Sequence, residues 1–158
     1  MKELNPKKTT DNENDNSTAA LIHLSSLSSL VQFAIPIPFI SILFPLILWQ
    51  AFKNNSDYID YHGKEAVNFN ISFLFYNFIL GIIALALFGV TIFNAISLDN
   101  ANDPMEIVSI LLSTGGIVGI LVAFSIIGIL KIIFIILATV KAGQGYRYRY
   151  PMTIRFIK

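Results

Sequence analysis

The stretch KNNSDYIDYHGKE, residues 53–65, decides how the rest of this chain is read. The runs on either side of it, residues 16–52 and 66–98, contain no Asp, Glu, Lys or Arg. A third uncharged run covers 107–130, and 132–140 continues it after the single Lys131. A bilayer hydrocarbon core about 30 Å thick needs roughly 20 apolar residues of helix. The runs reach that length, so the chain reads as an all-α polytopic membrane protein. Residues 53–65 are then where it meets an aqueous compartment.

Composition supports that class. Hydrophobic residues make up 54% of the 158 and charged residues 13%, about half the charged share of an ordinary soluble domain. The net charge of +1 points to no class of partner. There is no cysteine, which removes disulfides, thiol catalysis, iron–sulfur ligation and most structural zinc sites. With His23 and His62 the only histidines, a metal site would lean on carboxylates. No cofactor is expected.

Residues 1–15, MKELNPKKTTDNEND, are too polar to bury surface against the entropy of ordering, and read as a disordered cytoplasmic tail. A transmembrane helical domain is expected over 16–142 and an interfacial tail over 143–158. In the first uncharged run Ser25, Ser28, Ser29 and Gln32 share a helical face. Pro36 and Pro38 then break the chain. The helix from Pro38 to Phe52, with Pro45 inside it, would be roughly 22 Å long. A short proline-broken hairpin is expected here, with an interfacial first helix followed by one span as the alternative.

Ser56 or Asp57 can cap the next helix, with Asp60 near its positive end. Ala66, Asn70, Phe73, Asn77 and Gly81 form a stripe along it. Amides at membrane depth face protein or water more readily than lipid. Asp103, Pro104 and Glu106 fit an N-cap, a first helical position and a capping-box partner for the last helix. Gly115, Gly119 and Ala123 give that helix a small-residue face for close packing, within the chain or against a second copy. The expected architecture is a four-helix bundle whose two long helices run antiparallel.

Cations set the orientation. Residues 99–106 carry no Lys or Arg, the N-terminal tail carries three, residues 53–65 carry two, and five lie from Lys141 onward. By the positive-inside rule both termini and residues 53–65 are cytoplasmic.

Several stretches together carry a family resemblance. They are HLSSL at 23–27, the prolines at 36–38, PLILW at 45–49, YHGKEAVNFNIS at 61–72 and KAGQGYRYRYP at 141–151. On them the chain resembles small bacterial membrane proteins similar to the Tic-twenty subunit of the chloroplast inner-envelope protein-import translocon. The resemblance covers about residues 21–80 and 130–155, while 81–129 match only in being apolar. It implies a four-helix protein of the bacterial inner membrane without known enzymatic activity, with a tie to translocation through the plant relatives. It also marks Pro45, Trp49, His62, Glu65 and Asn68 as a cytoplasmic motif face.

Asp57, Asp60, His62 and Glu65 could be drawn as a metal or acid–base cluster. Helix capping and interfacial solvation account for them more simply, since their spacing matches no ligand motif. His23 reads as a hydrogen-bonded packing residue ahead of a proton relay. Tyr146, Tyr148 and Tyr150 alternate with Arg147 and Arg149, a pattern for lipid headgroups ahead of nucleic acid. Lys131, counted from Lys141, falls roughly 15 Å up its helix. It is expected to face the bundle near Asn70, Tyr76, Asn77 or water.

The function expected is non-enzymatic, in assembly or transport, with the bilayer and a membrane-protein partner or a homo-oligomer as company. The alternative is a membrane-embedded metal-dependent or acid–base enzyme using the His62 region.

Overall fold

The computed structural model describes residues 12–31, 39–96 and 104–158. Every regular element among them is helical: α1 Glu13–Ser25, α2 Ser28–Val31, α3 Ile40–Phe52, α4 Asp57–Ile96 and α5 Pro104–Gly143.

α1 begins inside the tail expected to be disordered. Asn12 accepts the Asn14 N–H at 3.0 Å, and Glu13 and Asp15 complement the positive helix end. Asn16 is already buried. The expected single serine face is broken at Ser26, because α1 stops at Ser25, whose hydroxyl turns back to the Ile22 carbonyl at 2.7 Å. Serine hydroxyls compete in this way with the helical ladder. Gln32, Pro36 and Pro38 lie outside the described residues, as does Asp103.

α3 runs through Pro45 without a break, and α1 and α2 both pack on it. As described, α1 and α3 have 13 residues each, roughly 20 Å. Neither is long enough to cross a bilayer alone. α4 starts where Ser56 Oγ accepts the Ile59 N–H at 3.3 Å. Pro104 takes the first position of α5, as expected. Past Gly143 the chain turns through Gly145 at φ 84°, with the Tyr146 N–H bonded to the Lys141 carbonyl at 3.0 Å. That is a Schellman ending, and its left-handed position suits glycine.

α4 and α5 have 40 residues each, roughly 60 Å and about twice the hydrocarbon thickness. Both are long and apolar enough to cross a membrane. The chain divides into two compact units: the part up to Phe73 together with Lys131–Lys158, and Leu74–Leu130.

In the first unit the start of α4 runs antiparallel to the end of α5. Tyr58 packs with Ala142 and Ala19, and the Phe69 and Phe134 rings lie 6.5 Å apart. Ile22, Ile59 and Ala66 form a second buried group. In the Leu74–Leu130 unit the large apolar side chains face outward. Leu85 and Leu112 are each 72% exposed, as befits a surface meant for lipid. The close approach there is at Gly116, where an added Cβ would lie 2.9 Å from Leu87. Gly115 and Gly119 face open space. The small-residue face expected at Gly115, Gly119 and Ala123 is therefore not the internal seam; the register is one residue off it.

Candidate functional site

The first unit is built around polar groups. His23, His62 and Ser72 are 0% exposed, Asn68 and Asn70 1%, and Glu65 5%. A buried polar group without a partner is costly, so their bonds define the site.

Most of those bonds hold the C-terminal segment, which lies along α4 as a non-helical strap. Glu65, Asn68 and Ser72 share one face of α4 by their three- and four-residue spacing. The Glu65 carboxylate accepts the Tyr150 N–H and the Arg155 Nε–H, each at 3.2 Å. The Asn68 amide oxygen accepts the N–H groups of Phe156 and Ile157 at 3.0 and 2.9 Å, and its nitrogen donates to the Ile157 carbonyl at 2.8 Å. Ser72 Oγ accepts the Ile154 N–H at 2.8 Å. Tyr58 anchors the start of the strap, donating to the Ala142 carbonyl at 2.8 Å with the Tyr146 carbonyl at 3.2 Å.

Tyr150 is the keystone of the strap. Its ring stacks on Phe69 at 3.9 Å, and its hydroxyl lies 3.0 Å from His23 Nδ1. His23 Nε2 is in turn 2.7 Å from His62 Nδ1. Burial, with Tyr148 and Glu65 adding to it, pushes the Tyr150 hydroxyl well above its usual range. It keeps its proton and donates to His23 Nδ1. His23 therefore carries its proton on Nε2 and donates to His62 Nδ1, which leaves His62 protonated on Nε2. In this set of tautomers one direction of donation runs through all three residues and ends at His62 Nε2, a buried atom with no hydrogen-bond partner. Burial, then the neighbouring His62, holds His23 well below its ordinary value, so it is neutral near pH 7.

These bonds correct several expectations. His62 and Glu65 do not serve interfacial solvation. Only one side of residues 53–65 faces water, with Asn54, Asn55 and Asp57 exposed, while Tyr58, Ile59, His62 and Glu65 are core. Asp60 ties α4 to α3 by accepting from Trp49 Nε1 at 2.9 Å, and within α4 it pairs with Lys64 at 2.6 Å. Pro45 and Trp49 are buried as well. An added Cβ on Gly63 would overlap the Trp49 indole, which is why α3 and α4 can approach there. The tail beyond 143 is no free interfacial segment. Its alternation is an extended chain with Arg147 and Arg149 exposed, Tyr146 and Tyr148 half-buried and Tyr150 inside.

The expected pairing of Lys131 with Asn70 is not formed. Asn70 Nδ2 donates to Ser26 Oγ at 2.7 Å and to the Ala66 carbonyl at 2.9 Å, and its Oδ1 has no hydrogen-bond partner. Lys131 Nζ instead sits 6.0 Å from the centre of the Phe73 ring, a cation–π distance. Its side chain is therefore turned toward α4, as the count from Lys141 expected, but toward a ring and not toward the amide of Asn70. Tyr76 and Asn77 belong to the other unit.

Among the described residues no group of three or more His, Asp or Glu could hold a metal ion. Sequence reasoning missed the strap contacts of Ser72 and the meeting of His23 with Tyr150. The usable signal was the spacing of Glu65, Asn68 and Ser72 on one face of an otherwise apolar helix.

The family model of the magnetosome magnetite crystal formation proteins, MamF/MmsF, matches residues 14–157. The chain belongs to the MamF/MmsF family. That overturns the Tic-twenty-like resemblance. The residues that suggested it include much of the buried cluster, and such packing residues specify how one end of a helical protein is assembled, not what it does. The match also runs through 81–129, the region where the resemblance rested on apolar character alone. No curated protein and no solved structure matches this MamF/MmsF chain.

Proposed function

We propose that this chain is a non-enzymatic, polytopic protein of a magnetosome-type membrane that contributes to magnetite crystal formation by assembling in that membrane. The observation that carries the reading is the MamF/MmsF match over residues 14–157. Two helices able to cross a bilayer support the membrane setting. The chemistry of the buried cluster supports a structural mode of action, because its bonds hold one part of the chain to another. An imidazole as buried as that of His62 offers no surface to a substrate.

In this reading α4 and α5 cross the bilayer, and the strap, residues 53–65 and the N-terminal tail lie toward the cytoplasm. Two facts support the shared side. The strap is bonded to the start of α4, and the cations from Lys141 onward fall at the same end.

The test is complementation. The chain is expressed in a magnetite-forming bacterium stripped of its own family members, and crystals are measured by electron microscopy. Recovery of crystal size or number supports the proposal. Unchanged crystals, with the protein present in the magnetosome membrane fraction, would overturn it.

A further inference from the structure

The chain of donation from Tyr150 through His23 to His62 does more than fill a core. It links the strap to two groups whose ordinary titration range lies near neutrality. With donation running from Tyr150 toward His62, the chain holds two neutral imidazoles. A second proton on His23 would sit on Nδ1, facing a hydroxyl that is already donating to that nitrogen. A second proton on His62 would sit on Nδ1, facing the Nε2–H of His23. Either proton places a charge in a fully buried site, and the chain can accommodate it only if the Tyr150 hydroxyl gives up its donated bond and accepts instead.

We propose that His62, His23 and Tyr150 form a proton-operated latch: acidification releases the strap from α4 and uncovers the Glu65–Asn68–Ser72 row. This stands apart from the proposed role in crystal formation and does not depend on it.

The surroundings favour the neutral, closed state. From the strap, the Arg147 guanidinium lies 5.0 Å from the Tyr61 ring, next to His62, and its charge opposes an imidazolium there. Tyr148 packs edge-on to Tyr150 at 5.3 Å. From α4, Tyr58 and Tyr61 face His62 with their rings, and the Glu65 charge is occupied by Arg155 and the Tyr150 N–H. From α5, Lys141 is turned over the Tyr146 ring at 5.4 Å. α1 carries Glu13 and Asp15 in its first turn, two turns or more before His23, and α2 and α3 carry no ionisable side chain.

The sign follows from His23. Its closed-state affinity for a proton is depressed, so the open state binds more protons once the pH falls below the ordinary value of 6.5. The closed strap is favoured above that pH and loses ground below it. For each imidazole that gains a proton on opening, the ratio of closed to open falls about tenfold per pH unit.

The experiment uses the full chain in lipid nanodiscs. Hydrogen exchange of the Tyr150, Ile154, Phe156 and Ile157 amides is followed from about pH 7.5 to about pH 5, corrected for intrinsic exchange, while NMR on nitrogen-labelled histidine follows the imidazoles. The chain has only two histidines, so assignment is direct. Above the transition, both rings should carry one proton, on Nε2. Below it, strap protection should fall about tenfold or more per unit together with the second imidazole proton. Amides within α5 should not follow. His23→Gln should flatten the profile, and Glu65→Gln should leave its slope in place. The latch is overturned if strap protection is constant over this range, if it falls while both imidazoles stay singly protonated, or if Glu65→Gln abolishes the slope. Because the histidine signals come from the native chain, the outcome does not depend on the variants folding.

Discussion

Gly145 and Gly63 are glycines for different reasons. At Gly145 the backbone turns to φ 84°, where a side chain meets the following carbonyl. Gly145→Ala should cost about 1–2 kcal/mol on that account, read as a lower unfolding midpoint in detergent. At Gly63 the limit is space, since the indole of Trp49 occupies the position of a Cβ. Gly63→Ala should cost about 1–3 kcal/mol by overpacking. A second-site Trp49→Ala should recover part of that loss, because it removes the Cδ1 and Cγ that stand nearest the added Cβ, at the expense of the Asp60 hydrogen bond. If Trp49→Ala is additive with Gly63→Ala, the two residues are not in conflict.

At the scale of elements, the strap and the hairpin of the long helices have separate sources of stability. The strap is held by side chains of α4 bonding its main chain, so its own side-chain identities matter less than those of α4. Asn68→Ala removes three such bonds, each worth about 1 kcal/mol. It should raise exchange at Phe156 and Ile157 while leaving α5 protected. Ile157→Ala should do much less. For the hairpin, the contact at Leu87 assigns the packing role to Gly116. Gly116→Leu should lower the unfolding temperature, and Gly119→Leu should leave it within error, since nothing lies within 4 Å of a Cβ there. The reverse order would restore the seam read from Gly115, Gly119 and Ala123.

For the whole molecule, the testable statement is orientation. Asn55 is exposed in the segment between α3 and α4, and the chain has no cysteine of its own. A cysteine at Asn55 and one at Met152 should both label from the cytoplasmic side in intact cells. Labelling of either from outside only would break the shared-side reading, because the strap is bonded to the start of α4.

The sequence by itself determined the class of molecule. The charge-free runs 66–98 and 107–130 fall in α4 and α5, the two helices long and apolar enough to cross a membrane, whereas the equally charge-free run 16–52 holds helices too short to cross alone. Pro104 at the start of α5 was legible because helix ends are local events of a few residues. The cluster was not legible. His23 is 39 residues from His62 and 127 from Tyr150, and no local pattern records that three such distant groups share a core. Read locally, a polar stretch beside a membrane looks like an interface, and a Tyr/Arg alternation looks like a headgroup anchor. Only the tertiary structure turned one side of each inward, because the strap's backbone N–H groups, once packed on α4, had to find acceptors there, and Glu65, Asn68 and Ser72 are the side chains that supply them.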